Sequence, residues 1–378
     1  MRIAVNTRSL INNKIDGIGR VTREVFSDMT RRHPEHEFIF IFDRPFPREF
    51  IFADNITPVV TALPARHPIL WYLWFEYAVP RLLKKHRADI FVSPDGFLPL
   101  AGHLPSVAVM HDINFYHYPK NLPRVFSLYY NYFFPKYALK ASRIATVSNF
   151  SKHNIMEAYG LPSEKIDVIG CGAGSIFKPL EDGPQHAVRR IFTAGRPYFL
   201  YVGSLHPRKN ITGLLHAFDA FKNAYDSDIA LVLAGPAMFK TGDIQHAYAQ
   251  MKHQADVVFT GPVSEEHLAG LYGAALALTF VPVFEGFGLP IIEAMNCHVP
   301  VIASNRTSMP EVCDTAALLV NPESLSEIVT AMAALAFNAN LRAILIEAGR
   351  ARAQHFSWQK TSVLLWNCIH KVLESNHA

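Results

Sequence analysis

The chain has 378 residues, enough for two or three domains at roughly 150 residues each. Half of the residues are hydrophobic and 18% charged, with 25 Pro and 20 Gly scattered along the sequence, which excludes a disordered, collagen-like or disulfide-framework chain. The net charge of +4 is unevenly spread: residues 1–175 hold 21 Lys and Arg against 15 Asp and Glu, and residues 176–378 hold 15 against 17. A basic first half fits an anionic partner such as a phospholipid surface or a phosphate-bearing acceptor, although a chance asymmetry gives the same count. No dense basic stripe appears, so nucleic acid is not expected as a partner.

Met1-Arg-Ile-Ala-Val leads straight into a strand pattern, so no signal peptide is expected. The most apolar window, Ile69–Phe75, is far shorter than the roughly 20 residues a membrane span needs. Cys171, Cys297, Cys313 and Cys368 are far apart, and no C-x-x-C pair occurs. A soluble protein of the reducing cytoplasm is expected, with peripheral contact at the inner face of a membrane left open.

β-branched and aromatic runs alternate with helical stretches along the whole chain, the pattern of parallel sheets with crossover helices. The first half predicts strands at 2–6, 38–42, 57–60, 89–92, 107–111 and 143–147, with a helix at 17–32. The second predicts strands at 198–202, 229–234, 257–259, 276–280, 301–303 and 317–320, with helices at 211–224, 265–272 and 325–335. A Gly- and Pro-rich break at 170–197 separates the two series. The fold expected is therefore α/β, with two Rossmann-like, doubly wound domains, 1–175 and 176–357, facing each other across a cleft formed by strand carboxyl ends.

The strongest chemical signal is Phe284-Glu285-Gly-Phe-Gly-Leu-Pro-Ile-Ile-Glu293. A strand runs into a glycine-bearing turn and then a helix with Pro290 in its first turn. Gly286 and Gly288 let the backbone approach a ligand, and the amides of Phe287, Gly288 and Leu289 would face an anion at a helix N-terminus. Glu285 in the turn and Glu293 on the helix place two carboxylates at different depths, strong acceptors for the hydroxyls of a sugar nucleotide. The second signal is Tyr201-Val-Gly203-Ser204-Leu-His-Pro-Arg208-Lys209-Asn210, a strand end followed by adjacent cations and a plausible N-cap. Arg208 and Lys209 can neutralise a departing diphosphate, or form an ordinary exposed charge pair. Cys297 is read as core.

G-S-L-x-P-R-K-N, followed about 75 residues later by E-G-F-G-L-P-I-I-E-A, resembles the retaining glycosyltransferases of family 4, which have the GT-B fold. Thr307–Val312 (TSMPEV) and Phe356–Trp358 extend the resemblance over nearly the whole chain. It implies that Glu285 holds the donor hexose and supports the oxocarbenium-like charge, and that Glu293 binds the ribose hydroxyls. Arg208 and Lys209 would bind the diphosphate with the amides at 287–289. Gly203 and Ser204 would border the donor, and the base would stack near Pro262 and Val263. No divalent metal and no cofactor beyond the nucleotide sugar are expected. The segment from Trp358 onward (358–378) would cross back onto the first domain.

The first domain is the acceptor side under this resemblance. Gly17-Ile18-Gly19 lies too far past the first strand for a dinucleotide turn, despite Asp43 mimicking the ribose acid, and the resemblance makes it a loop near phosphate and acceptor. His111 and Asp112 end a strand; His111 matches the position of a histidine near the reacting sugar, while a structural histidine is the plainer reading. Ser148 fits a recurrent family segment and equally fits a helix cap. Ten of the 23 residues from Phe115 to Tyr137 are aromatic, and Trp71, Tyr72, Trp74, Phe75 and Tyr77 form another cluster. Core packing is the plain reading of both, sugar stacking or lipid contact the alternative.

The function expected is retaining transfer of a hexose, with mannose from GDP-mannose favoured because the overall pattern, including TSMPEV, resembles mannosyltransferases. The acceptor expected is a glycan or lipid-linked glycan of lipopolysaccharide or cell-surface polysaccharide assembly. A sugar-nucleotide 2-epimerase of the same outline and an inactive scaffold are the alternatives.

Overall fold

A computed structural model describes residues 1–11, 17–238 and 241–375. The chain forms two compact units, Met1–Gly172 with Ser357–Ala378, and Ala173–Phe356.

The first unit is built on a seven-stranded sheet of β1 (Arg2–Asn6), β2 (Glu37–Phe42), β3 (Ile56–Val60), β4 (Ile90–Ser93), β5 (Ser106–Val109), β6 (Arg143–Thr146) and β7 (Ile166–Val168). All pairs are parallel, in the order β3-β2-β1-β4-β5-β6-β7. The central strands are buried on both faces, which is why they read as continuous apolar runs rather than alternating ones. β7 escapes the sequence pattern because it is a three-residue edge strand, and its Asp167 pairs with Arg143 and Lys371, each at 2.7 Å.

The last helix, Trp358–Ser375, belongs to this unit and packs along helix Gly17–Arg32. Ser357 Oγ accepts from the amide of Lys360 in its first turn, and Trp366 stacks on His33 with ring centroids 3.6 Å apart. The chain passes Gly172 so closely here that a Cβ would lie 2.2 Å from the Trp358 nitrogen. Only glycine admits that crossing.

The second unit has a six-stranded parallel sheet of β8 (Tyr198–Val202), β9 (Ala230–Ala234), β10 (Val257–Gly261), β11 (Ala277–Phe280), β12 (Val301–Ser304) and β13 (Leu318–Val320). Its order, β10-β9-β8-β11-β12-β13, repeats the 3-2-1-4-5-6 winding of the first sheet. Each sheet thus reverses its strand order at one place, between β1 and β4 and between β8 and β11, and the carboxyl ends there leave a crevice. The Gly- and Pro-rich break contains a helix, Asp182–Thr193, that its sparse apolar residues do not announce; it packs against helix Glu265–Ala274.

Candidate active site

The two motif segments of the second unit meet at its switch point. Strand β8 delivers the loop 203–210, and β11 delivers the turn 281–288. A short 3₁₀ turn, Pro207–Lys209, aims the cations, and His206 begins it by accepting from the Arg208 amide at 3.3 Å. The Arg208 carbonyl accepts from the Val283 amide at 2.9 Å, while its guanidinium Nη1 donates to the Phe284 carbonyl at 3.2 Å. The loops are therefore stitched together by backbone as well as by charge.

At the junction, Glu285 Oε2 accepts from Arg208 Nη1 at 2.6 Å and from Lys209 Nζ. Both contacts fall on one oxygen; no described residue donates to Oε1. Burial pushes the carboxyl up, but Arg208 and Lys209 outweigh it and hold Glu285 at about 2. The backbone of Glu285 is fixed by the TSMPEV segment: its carbonyl accepts from Ser308 Oγ at 2.8 Å, and its amide approaches Thr307 Oγ1 at 3.4 Å. That segment sits between β12 and the short helix Met309–Cys313. The arrangement can hold a dianion, since the cations are buried, preorganised and can exchange one carboxylate oxygen for phosphate oxygens.

Glycine geometry clears the way in. Gly288 starts helix Leu289–Asn296 at a φ of +99°, with Met309 and Ile291 so close that a Cβ would collide. The amides of Phe287, Gly288 and Leu289 donate no hydrogen bond to the described residues, and at a helix N-terminus such donors can receive an anion. Gly286 is buried beside them. Gly203 ends β8 at a φ of +144° next to the Tyr201 hydroxyl, which donates to the Ser204 carbonyl at 3.0 Å. Pro262 and Val263 follow β10 at the far side of this sheet edge, before Ser264 caps helix Glu265–Ala274.

Glu293 is 2% exposed, and its Oε2 accepts from the Tyr272 hydroxyl at 2.8 Å. Nearby Cys297 is core, its thiol pushed up to about 12 by burial and by Glu293. Asn210 stands at the N-cap position of helix Ile211–Ala224 in the left-handed region, but its side chain donates to the Pro322 carbonyl at 2.7 Å instead of capping.

The first-unit candidates are local structure. Gly17, Ile18 and Gly19 form the first turn of helix Gly17–Arg32 rather than a loop; the preceding residues 12–16, including Asp16, lie outside the described residues. His111 follows β5, and its Nε2 lies 2.8 Å from the Pro94 carbonyl, so Nε2 carries the hydrogen. Asp112 accepts from the amide and side chain of Asn114 at 3.0 and 2.6 Å. Ser148 is a buried helix cap accepting from the Ser151 amide at 3.0 Å.

Sequence reading missed the group at the first switch point. Arg8, after β1, donates to Asp95, after β4, at 2.5 Å, and Asn6 donates to the same carboxylate at 2.8 Å. Phe97 lies under the guanidinium at 4.0 Å. Nothing local marks residues 87 apart as partners. An Asp-x-Asp triplet also occurs, Asp226-Ser227-Asp228; it lies exposed ahead of β9, at the amino end of that strand and away from the switch point. Among the described residues, the side chains close enough to share a cation are His33, Glu35 and His36 of the first unit; neither Glu285 nor Glu293 is among them.

Residues 15–173 match the model described as Glycosyltransferase Family 4, and residues 186–352 match Glycosyl transferases group 1. The chain is 30% identical over 278 residues to "O-antigen chain mannosyltransferase B" of Escherichia coli, covering 73% of each chain. It is 28% identical over 270 residues to "O-antigen chain mannosyltransferase RfbU" of Salmonella typhimurium, covering 71% of each. The solved structure of sucrose-phosphate synthase from Thermosynechococcus elongatus superposes with a TM-score of 0.79 over 99% of both chains at 17% identity, a likeness of fold. The fold is GT-B, and the chain belongs to this glycosyltransferase family. It is a hexosyltransferase by that membership.

Proposed function

We propose that the chain is a retaining mannosyltransferase that takes mannose from GDP-mannose and adds it to a glycan or lipid-linked acceptor in lipopolysaccharide or cell-surface polysaccharide assembly, without a metal. The observation that carries the reading is the Arg208–Glu285–Lys209 cluster beside the amides of 287–289. The relatives named above, both O-antigen chain mannosyltransferases, support mannose. Family membership implies a nucleotide-sugar donor and a glycan acceptor.

In this reading the diphosphate binds Arg208, Lys209 and the amides at the helix N-terminus, and two fixed cations do the work a metal does elsewhere. Glu285 Oε1 accepts a donor-sugar hydroxyl, and its carboxylate supports positive charge at the anomeric carbon. Glu293, hydrogen-bonded to Tyr272, accepts from the ribose. The bond from the anomeric carbon to the phosphate oxygen breaks while the acceptor oxygen attacks from the same face. The acceptor's proton passes to the departing phosphate, which leaves as the nucleoside diphosphate. Positioning and charge stabilisation then suffice, with no protein nucleophile. His111, on the first unit, and the first turn at Gly17, Ile18 and Gly19 are assigned to the acceptor side.

The test is turnover of GDP-mannose with EDTA present and acceptor glycan supplied, followed by NMR of the new linkage. The reading predicts an α-linked mannoside, the donor configuration retained. A β-linkage, turnover abolished by EDTA, or conversion of donor without acceptor would overturn it, the last in favour of an epimerase.

A further inference from the structure

We infer that His33, Glu35 and His36 form a binding site for a divalent transition-metal ion of the zinc class, in the turn between helix Gly17–Arg32 and β2. His33 Nδ1 lies 3.5 Å from Glu35 Oε1, and His36 Nε2 lies 3.2 Å from the same oxygen. One ligand atom from each of the three residues falls within 4.8 Å of the other two. Ligands about 2.0–2.1 Å from a tetrahedral ion stand about 3.4 Å apart, so the two measured edges already have the length that coordination requires. Two imidazoles and one carboxylate are the donor set of zinc and its neighbours, whereas magnesium and calcium take oxygen. Three protein ligands leave a further position for water.

The turn is held in this form by groups that are not ligands. The His36 amide donates to the His33 carbonyl at 3.2 Å, which closes the turn, and the two rings lie nearly parallel with centroids 6.1 Å apart. Asn55 Nδ2 lies 3.0 Å from the carbonyls of both His33 and His36 and 3.1 Å from that of Thr30, tying the turn to the end of the helix. Trp366 of the last helix covers both rings, 3.6 Å from His33 with 15° between planes and 5.2 Å from His36 with 20°. A stacked indole fixes the imidazole planes and leaves open their edges, where nitrogen binds metal. His36 Nδ1 is 3.4 Å from the N-terminal amine, so Nε2 is the nitrogen turned to Glu35. Much of the ordering that binding costs is thus met by the fold itself. A His–Glu ion pair accounts for one imidazole on the carboxylate, and not for two at coordination spacing. The site stands at the amino end of β2, whereas the crevice of this sheet lies at the carboxyl ends. The ion's role is therefore to brace the turn beneath the last helix, with no part in transfer.

The inference is independent of the donor and is tested without transfer. The untagged full chain, stripped with EDTA and dialysed, is titrated with zinc chloride by calorimetry at about pH 7.5, where imidazole is neutral. Expected are one zinc ion per chain with a Kd on the order of 1–10 μM, and no heat from magnesium or calcium. Glu35→Gln, whose side chain is 58% exposed, and His33→Phe, which keeps a ring against Trp366, each weaken zinc binding by at least about tenfold. Glu35→Gln keeps the wild-type melting temperature without metal, and both variants keep wild-type GDP binding. Copper(II) quenches indole emission at contact, so one equivalent removes the Trp366 share, and Trp366→Phe abolishes that loss while keeping the zinc heat. No zinc heat from the wild type would overturn the inference and leave the three side chains as ion pairs only. Zinc binding undiminished in both Glu35→Gln and His33→Phe would overturn it too, by placing the ion on other histidines, and so would magnesium bound as tightly as zinc.

Discussion

A single oxygen, Glu285 Oε2, takes both cations of the second unit's switch point. Any phosphate arriving there competes with that carboxylate, so removing its charge frees the cations. Glu285→Gln is expected to bind GDP at least as tightly as wild type while transfer falls by about 10²- to 10³-fold. Arg208→Ala is expected to weaken GDP binding by about 10- to 100-fold. Unchanged turnover in Glu285→Gln would sink the role given to it. The same pair predicts an acid response. The folded carboxyl is held at about 2 against an ordinary 4.5. A depressed carboxyl stabilises the fold above its unfolded value, and that stabilisation is lost as pH falls from 4.5 through about 2. Melting temperatures of the wild type should therefore drop more steeply than those of Glu285→Gln across this window; parallel curves would mean the pair contributes nothing. Glu285, Glu293, Arg208 and Lys209 were legible because each lies in a contiguous segment with its own strand, turn and helix signals. The Arg8–Asp95 and Glu293–Tyr272 partnerships were not, since each joins residues from separate elements and leaves no periodic trace.

At the scale of elements, three neighbouring strand ends are held by glycines. The Gly203 amide donates to the Ala234 carbonyl at 2.9 Å, and the Gly235 amide to Gly261 at 3.0 Å. A Cβ on Gly235, whose φ is +142°, would lie 2.1 Å from the Gly203 carbonyl oxygen. Gly235→Ala must therefore push back the loop that carries Arg208 and Lys209. The expected cost is about 1–3 kcal/mol, a fall of roughly 5 °C in melting temperature, with weaker GDP binding. A variant melting and binding like wild type would show that the loop yields freely. Strand and helix identity were readable because buried parallel strands and amphipathic crossovers have different periods. Element ends were less so. His111 falls two residues past β5, and β7 is too short and too polar for any pattern. Helix Asp182–Thr193 buries only Thr193, so a run that looks like linker folds on tertiary contacts.

Across the whole molecule the two sheets wind alike, and each reversal point is bridged by an arginine after the first strand and an acid after the fourth. They differ in what surrounds the pair. Arg8 and Asp95 are closed over by Phe97, Phe75 and Trp71, whereas Arg208 and Glu285 adjoin glycine backbone and amides that no described residue takes. The same topology thus produces one sealed pair and one pair beside a helix N-terminus, and the difference lies in side chains that the winding pattern does not reveal. The measurement that tests the central claim most directly is metal-free calorimetry of GDP, UDP and ADP against the wild type and Arg208→Ala. The account predicts one GDP per chain, bound at least about tenfold more tightly than UDP or ADP, and a large loss in the variant. No heat from any of the three nucleotides, or binding that Arg208→Ala leaves intact, would contradict it.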